Sequence, residues 1–191
     1  MRVVLASANP HKLRELEAVA PGWKLEPPAR PLEVEETGES YRDNARTKAL
    51  AARAAAPADT WVLGDDSGLE VDGLGGRPGV RSARYAAPGE DAVDKLLREL
   101  AGAAGDARRA RYVCELVLLP PGGGELAARG TLEGRIAEER RGSEGFGYDP
   151  VFVPEGETRT VAELGNEWKR TSSHRARATA ALAERVVAYE T

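Results

Sequence analysis

Two adjacent carboxylates, Asp65 and Asp66, are the residues of this chain best suited to metal-dependent chemistry. They follow the apolar run 61–64 and precede Ser67 and Gly68, so we expect a short strand over 61–64 that ends at these polar groups. Open α/β sheets bind ligands at strand ends, and crowded carboxylates need a compensating cation. Such oxygen ligands suit Mg²⁺. An acidic turn explains the same residues, because Asp, Ser and Gly are ordinary turn residues.

The segment from Ser7 to Lys12 combines groups that bind anions. A short strand over 2–6 is expected to lead into a helix capped by Asn9, with Pro10 at its first position. The free amides and the positive dipole end of a helix N-terminus attract phosphate. The side chains of Ser7 and Asn9 add donors, and Lys12 adds a full charge. A plain helix cap beside a solvated lysine is the alternative.

Acidic residues cluster at Glu33, Glu35 and Glu36, just before the next expected helix. Such a run is either a solvated loop or a source of metal ligands. On that helix Asn44 and Lys48 are four positions apart, so they share one face. This spacing also fits an ordinary helix lysine.

The glycine-flanked loop 145–150 could bind a nucleotide base. Glycines on both sides of Phe146 let the backbone approach a flat ligand, on which the ring could stack. Asp149 could accept hydrogen bonds from ring nitrogens. A glycine loop with one aromatic side chain in the core explains the same residues.

The last expected helix begins with donors that could bind phosphate or a carbonyl oxygen. His174 and Arg175 follow Ser173 there, and Lys169 lies a few residues upstream. His174 could equally be a capping or surface residue, and Arg175 a solvated arginine.

Length and composition exclude several classes of protein. The 191 residues predict a single domain, 1–191, and a net charge of −4 argues against binding to polymeric nucleic acid. A Walker-type phosphate loop is absent. With only His11, His174 and Cys114 available, a zinc site built from nitrogen and sulfur ligands is not expected. One cysteine, and no apolar stretch as long as a signal peptide or membrane span, predict a cytoplasmic protein.

Strand-like and helix-like segments alternate along the chain, which predicts an α/β fold with a mixed sheet. The expected strands are 2–6, 61–64, 112–119, 125–137 and 151–153, with a hairpin turn at 120–124. The expected helices are one that starts at Pro10 and is ended by Pro21 and Gly22, then 40–56, 91–101 and 172–189, with one or two helical turns at 160–164. The segment 24–37 is expected to be a strand or an extended connection, and 72–89 and 142–150 are expected to be loops.

In combination these segments resemble the inosine triphosphate pyrophosphatase family. The resemblance covers nearly the whole chain in family order and is weaker only at 165–170. It is carried by Ser7-x-Asn9-x-x-Lys12, Glu36-Thr37-Gly38, Asn44-Ala45, Lys48-Ala49, Asp65 to Leu69, 74–79, 82–85, 145–150, Glu163-Leu164 and Ser173-His174-Arg175.

The resemblance implies an Mg²⁺-dependent hydrolase of nucleotide metabolism. Such an enzyme cleaves ITP, dITP and XTP between the α- and β-phosphates and releases pyrophosphate and a nucleoside monophosphate. It also implies an elongated mixed β-sheet flanked by helices, two lobes with a nucleotide-binding cleft between them, and a homodimer.

The resemblance also implies roles for individual residues. Asp66 is the expected general base and acts with Lys48. The expected Mg²⁺ ligands are Asp66 and the pair Glu35 and Glu36, with Asp65 as an outer partner. The expected substrate-binding residues are Ser7, Asn9, Lys12 and Lys48 for the polyphosphate, Ser67 beside the nucleotide, and Phe146, Gly147, Tyr148, Asp149, Lys169, His174 and Arg175 for the base.

Two other functions remain open at this point. One is a pyrophosphatase of the same fold that acts on modified pyrimidine or other non-standard nucleotides. The other is a nucleotide sensor without turnover, against which the intact Asp66 and Lys48 argue. The sequence leaves open which glutamate binds the metal, how many ions act, the preference between ribose and deoxyribose, what rejects guanine and how a dimer forms.

Overall fold

The computed structural model describes residues 1–20, 22–32 and 34–191. Pro21, expected to end the first helix, and Glu33, grouped with the acidic run, lie outside the described residues. Within these ranges no helix is long and apolar enough to cross a membrane.

Six strands and five α-helices carry the fold of the described residues. The strands are β1 (Arg2–Leu5), β2 (Lys24–Glu26), β3 (Trp61–Val71), β4 (Arg109–Leu119), β5 (Leu126–Ile136) and β6 (Phe152–Pro154). The helices are α1 (Pro10–Val19), α2 (Tyr41–Ala55), α3 (Ala92–Glu99), α4 (Val161–Ser172) and α5 (His174–Glu190), and short 3₁₀ helices cover Asp72–Leu74, Gly79–Arg84 and Gly105–Arg108.

The strands form one mixed sheet in the order β2-β1-β3-β4-β5-β6. β1 pairs in parallel with β2 and with β3, and β5 pairs with β6 in antiparallel. β4 and β5 are neighbours joined by residues 120–125, a connection too short for a parallel crossover. The predicted α/β class, mixed sheet and hairpin are therefore confirmed.

The chain divides into two compact units. Unit 1 comprises Met1–Asp66, Cys114–Gly130 and His174–Thr191, and unit 2 comprises Ser67–Val113 and Thr131–Ser173. The expected single functional domain, the two lobes and the nucleotide-binding cleft stay predictions.

In unit 1, alternate residues of β3 belong to different apolar clusters, since successive strand side chains point to opposite faces of the sheet. Trp61 and Leu63 pack with residues of α1 and α5, among them Leu16 and Leu182. Val62 packs with three alanines of α2. The small side chains of α2 let this helix lie close to the sheet. α1 and α5 therefore cover one face of the sheet and α2 covers the other.

Unit 2 has its own apolar cluster. It joins the end of β3 at Leu69 and Val71 to α3 and to the unit 2 parts of β4 and β5. Tyr112 of β4 packs against Phe152 of β6, with ring centroids 4.5 Å apart. This packing gives β4 and β6 a common apolar support beside the loop 145–150.

The expected end of the third strand at residue 64 is wrong. β3 continues to Val71, so the carboxylates of Asp65 and Asp66 lie within the strand and not in a turn beyond it. Asp, Ser and Gly are depleted in strands, and the pattern therefore resembled a turn. Ion pairs with residues distant in sequence let the strand accept these carboxylates.

The structure adds detail to three expected elements. The expected helical turns at 160–164 form the first part of α4, and after a kink at Gly165, with φ 85°, the helix continues to Ser172. Two short 3₁₀ helices lie in the expected loop 72–89, and the expected strand or extended connection 24–37 contains the strand Lys24–Glu26. Helical residues on both sides of a glycine are hard to anticipate from sequence, because glycine usually ends a helix.

Candidate active site

The carboxylate of Asp65 is fully buried and lies between two cations. Arg175 Nε donates to Asp65 Oδ2 at 2.8 Å, and Lys12 Nζ donates to Oδ1. Arg175 also donates to Glu15, which like Lys12 lies on α1. Burial alone would raise the pKa of Asp65, but Arg175 and Lys12 outweigh that effect and hold the pKa well below its usual range. Asp65 is therefore ionised at neutral pH, and Arg175 and Lys12 compensate its charge within the protein.

Asp66 has a different set of partners, all of which come from α2 or the segment before it. Lys48 Nζ donates to Asp66 Oδ1 at 2.8 Å, and Asn44 Nδ2 donates to Oδ2 at 3.2 Å. The same Lys48 nitrogen lies 2.6 Å from Glu36 Oε1. Burial raises the pKa of Asp66 above its usual value, and the ion pair with Lys48 offsets only part of that rise. Asp66 is therefore a better proton acceptor than an exposed aspartate.

The two lysines meet at the backbone of β3. Lys48 Nζ donates to the carbonyl oxygen of Asp65 at 3.2 Å, and Lys12 Nζ donates to the same oxygen at 3.5 Å. The structure thus brings Lys12, Lys48 and Asp66 together, as the sequence analysis expected. We call Lys12, Glu36, Lys48, Asp65 and Asp66 the carboxylate–lysine cluster.

Close packing of α2 against β3 places Lys48 beside Asp66. A Cβ on Gly64 would lie 1.9 Å from the carbonyl oxygen of Ala45, so only glycine fits there. Asn44 Oδ1 accepts from the amide of Gly38 at 2.9 Å. Asn44 therefore ties the segment that carries Glu36 to the helix that carries Lys48.

The carboxylate–lysine cluster fits Mg²⁺ held jointly with a substrate. Within residues 1–20, 22–32 and 34–191, no group of three or more Asp, Glu, His or Cys side chains converges to form a metal cage. Glu36 and Asp66 nevertheless each have an oxygen within 2.8 Å of one atom, Lys48 Nζ, so one cation can contact both. Mg²⁺ is commonly bound by one or two carboxylates plus substrate phosphates. Glu35 is exposed, which makes Glu36 the candidate ligand of the two.

The first turn of α1 is arranged as the sequence predicted. Asn9 is the N-cap, and its side-chain oxygen accepts from the amide of His11 at 2.9 Å, with Pro10 at the first helical position. Ser7 Oγ accepts from the amide of Asn9 at 3.2 Å. The contribution of Ser7 and Asn9 to phosphate binding stays a prediction.

A second group of polar side chains lies in unit 2 around Asp149. Lys169 Nζ donates to Asp149 Oδ2 at 2.7 Å, and the amide of Phe146 donates to the same oxygen at 2.8 Å. Tyr112 donates its hydroxyl proton to Asp149 Oδ1 at 3.1 Å. The Lys169 ammonium lies 4.6 Å from the centroid of the Phe146 ring. We call Tyr112, Phe146, Asp149 and Lys169 the Asp149 cluster.

Glycine at position 145 makes this arrangement possible. A Cβ there would lie 2.1 Å from Asp149 Oδ2, and the φ of +81° favours glycine. Tyr148 is buried and donates its hydroxyl proton to the carbonyl oxygen of Ser82 at 2.9 Å, which anchors the loop in unit 2. Gly147 is exposed and Ser67 is half-buried in β3. Direct substrate contacts of Ser67, Gly147 and Tyr148 stay predictions.

His174 and Arg175 are both buried in the first turn of α5. A Cβ on Gly130 of β5 would lie 2.1 Å from the carbonyl oxygen of His174, so this glycine lets the helix approach the strand. The alternative of a solvated Arg175 is wrong, since its guanidinium pairs with Asp65 and Glu15. Base contacts by His174 and Arg175 stay predictions.

Three residues that the sequence analysis left out of the site support the two clusters. Glu15 lies three positions after Lys12, a spacing that places both on one helix face. Asn44 was noted for sharing a face with Lys48 and as part of the family resemblance, but it was given no role in the site. Tyr112 had no distinguishing signal, because its partner Asp149 is 37 residues away in sequence.

Comparisons with known proteins identify the family of this chain. The Ham1 family matches residues 3–185. Proteins named dITP/XTP pyrophosphatase from Opitutus terrae and Symbiobacterium thermophilum are each 46% identical to this chain, over 96% and 98% of it and over 98% and 95% of their own lengths. A solved HAM1 protein from Coxiella burnetii is 35% identical with a TM-score of 0.85, over 98% of this chain and 99% of that one. The resemblance seen in the sequence is confirmed. The chain belongs to the Ham1 family.

Proposed function

We propose that this protein hydrolyses dITP, ITP and XTP to the nucleoside monophosphate and pyrophosphate, and so removes these nucleotides from the pool. The observation that carries the proposal is the meeting of Lys12 and Lys48 at the carbonyl oxygen of Asp65, directly beside the carboxylate of Asp66. The negative charges of a triphosphate must be neutralised by cations before a nucleophile can approach. Hydrolysis also needs a base nearby to deprotonate the attacking water. Relatives named dITP/XTP pyrophosphatase support the choice of substrate.

Asp66 is the proposed general base. Its carboxylate accepts a proton from water as the water oxygen bonds to the α-phosphorus. The bond from that phosphorus to the bridging oxygen then breaks, and pyrophosphate leaves with the bonding electrons. The raised pKa of Asp66 suits it for this transfer. Asn44, which donates to Asp66 Oδ2, fixes the orientation of the base.

Lys12 and Lys48 are the proposed polyphosphate ligands. Each is held by a carboxylate, Lys12 by Asp65 and Lys48 by Asp66 and Glu36. Both ammonium groups lie beside the carbonyl oxygen of Asp65, within reach of one triphosphate. The N-terminus of α1, with Ser7 and Asn9, adds amide donors for the same charges.

Glu36 and Asp66 are the proposed Mg²⁺ ligands. When bound, Mg²⁺ would neutralise phosphate charge and polarise the phosphoryl oxygens. Glu36 is preferred over Glu35 because its carboxylate already lies beside Lys48. Asp65 is an unsuitable outer partner for the metal, since Arg175 and Lys12 occupy both of its oxygens.

The Asp149 cluster is the proposed binding site for the purine. Phe146 would stack on the ring, and Lys169 would donate to the oxygen at position 6 of hypoxanthine or xanthine. Adenine carries an amino group at that position, and a buried donor that faces another donor costs about 1–3 kcal/mol, roughly ten- to a hundredfold in selectivity. His174 and Arg175 remain candidates for the base edge. A homodimer and a cytoplasmic location belong to the same proposal.

A nucleotide panel with Mg²⁺ tests this function. Release of pyrophosphate and of phosphate is measured separately for dITP, ITP, XTP, ATP and GTP. We expect pyrophosphate from the first three, far faster than from ATP or GTP. Equal turnover of all five would defeat the proposed specificity, and release of phosphate alone would defeat the proposed reaction. Light scattering tests the dimer.

A further inference from the structure

The ammonium of Lys48 occupies the space between the two proposed metal ligands. Its nitrogen lies 2.6 Å from Glu36 Oε1 and 2.8 Å from Asp66 Oδ1. A third contact, to the carbonyl oxygen of Asp65, is 3.2 Å long. These are hydrogen-bond distances, so Lys48 is the counter-cation of this carboxylate pair.

A second cation cannot join the pair while Lys48 stays in place. Glu36 and Asp66 together carry two negative charges and Lys48 one positive charge, and all three side chains are at least three-quarters buried. A divalent ion on the same two oxygens would lie at contact distance from the ammonium. Like charges so close together repel strongly away from water. Metal binding therefore requires the ammonium to move.

A triphosphate offers Lys48 another anionic partner. Lys48 has a flexible four-carbon side chain with three donors, so its ammonium can leave the carboxylates without movement of α2. The carboxylates keep their positions, because Asn44 continues to hold Asp66 and, through Gly38, the segment that carries Glu36. Without the ammonium beside them, the two negative charges of Glu36 and Asp66 then match the double positive charge of one Mg²⁺.

We propose that Lys48 is a built-in competitor of Mg²⁺, so that the protein binds the metal well only when a triphosphate draws the ammonium away from Glu36 and Asp66. This inference rests on the proposed function, because it takes the same residues as metal and phosphate ligands. Mg²⁺ and nucleotide then bind cooperatively. The protein without nucleotide binds Mg²⁺ weakly because Lys48 already compensates one of the two negative charges of the ligand pair and lies between its oxygens.

Divalent-ion titrations without nucleotide test the competition. Binding of Mn²⁺, followed by its paramagnetic resonance signal, and of Mg²⁺, followed by calorimetry, is compared between the wild type and Lys48→Met. We expect the variant to bind both ions at least about tenfold more tightly, since one like charge has been removed at contact distance. Adding Glu36→Gln to Lys48→Met should remove the gain. Lys48→Gln makes the same comparison if the methionine variant does not fold.

Lys12→Met is the matched control. It also removes one positive charge from the carboxylate–lysine cluster, but Lys12 pairs with Asp65 and not with Glu36 or Asp66. We expect a clearly smaller gain in metal affinity for this variant. The inference would be overturned if Lys12→Met raised the metal affinity as much as Lys48→Met does. It would also be overturned if neither Lys48→Met nor Lys48→Gln raised the metal affinity.

The two proposals can fail separately. Pyrophosphate release from dITP with Mg²⁺ by the wild type, combined with unchanged metal affinity in the Lys48 variants, would defeat only the competition. Tighter metal binding by Lys48→Met in a protein that releases no pyrophosphate from any nucleotide would defeat only the proposed function.

Discussion

Asp65 and Asp66 are adjacent in β3, yet their carboxylates bind cations from opposite faces of the sheet. Asp65 pairs with Lys12 of α1 and Arg175 of α5, and Asp66 pairs with Lys48 of α2. The strand pleat separates the two carboxylates, and each receives its own compensation. Asp65 therefore holds Lys12 and Arg175 in place, and Asp66 supplies the proposed base.

Asp66→Asn tests the base directly. The amide keeps the size of the side chain and can still accept from Asn44, but it cannot take a proton. We expect the rate of pyrophosphate release to fall by about 10²–10⁴-fold, while calorimetry without Mg²⁺ shows nucleotide affinity within a few-fold of the wild type. A variant with full activity would remove Asp66 from this role.

Glu36→Gln and Glu35→Gln form a matched pair that identifies the metal ligand. Glu36 contacts Lys48, and Glu35 is exposed. We expect Glu36→Gln to raise the Mg²⁺ concentration for half-maximal activity at least about fivefold, because one anionic ligand is lost. Glu35→Gln should match the wild type in the same Mg²⁺ titration. The opposite order of the two variants would assign the metal to Glu35.

Asp65 should make the stability of the protein sensitive to acid. Its pKa in the fold is lower than in the unfolded chain, so the ionised form stabilises the fold at neutral pH, and this contribution is lost as the pH falls below about 5. Asp65→Asn removes the carboxylate shared by Lys12 and Arg175, of which only Arg175 keeps another carboxylate, Glu15, and we expect it to cost about 3–5 kcal/mol at pH 7. Urea unfolding at several pH values should show this difference narrowing as the pH falls from about 5 toward 2. A difference that stays constant with pH would exclude Asp65 as its source.

The residues of the site were easier to predict from the sequence than the length of β3, the strand that carries two of them. Lys12, Lys48 and Asp66 could be grouped because their residue types suit one reaction and they lie in family order. The continuation of β3 through Asp65 and Asp66 could not be predicted, since it depends on cations supplied by three distant helices. Glu15 and Tyr112 were missed for the same reason: their roles come from partners that only the fold brings near.

Gly64→Ala tests how α2 positions Lys48. The added methyl group would lie 1.9 Å from the carbonyl oxygen of Ala45, so the helix must shift away from β3. Overpacking of this kind costs about 1–3 kcal/mol, and the shift also moves Lys48 from Asp66. We expect a lower melting temperature and a lower kcat per folded molecule.

Gly122→Ala is the matched control for Gly64→Ala. A Cβ at Gly122 meets only the hydroxyl of Tyr189, at 3.4 Å, which is ordinary van der Waals contact. Its melting temperature and kcat should stay near those of the wild type. If Gly64→Ala behaved in the same way, the close approach of α2 would not determine the position of Lys48.

Tyr112→Phe tests whether the Tyr112 hydroxyl helps to orient Asp149 in the Asp149 cluster. The variant keeps the ring that packs against Phe152 and loses only the hydroxyl that donates to Asp149 Oδ1. One hydrogen bond contributes about 0.5–1.5 kcal/mol, so we expect KM for dITP to rise about two- to tenfold. The kcat should change less, because the bond is made to the proposed base-binding group and not to Asp66.

Tyr189→Phe separates this effect from the general loss of a tyrosine hydroxyl. The Tyr189 hydroxyl donates to the carbonyl oxygen of Gly123 at 3.2 Å, and both residues are exposed. We expect its KM and kcat to equal those of the wild type. An unchanged KM in Tyr112→Phe as well would mean that Lys169 and the amide of Phe146 orient Asp149 without help. A fall in kcat at constant KM would instead connect Tyr112 to the chemical step.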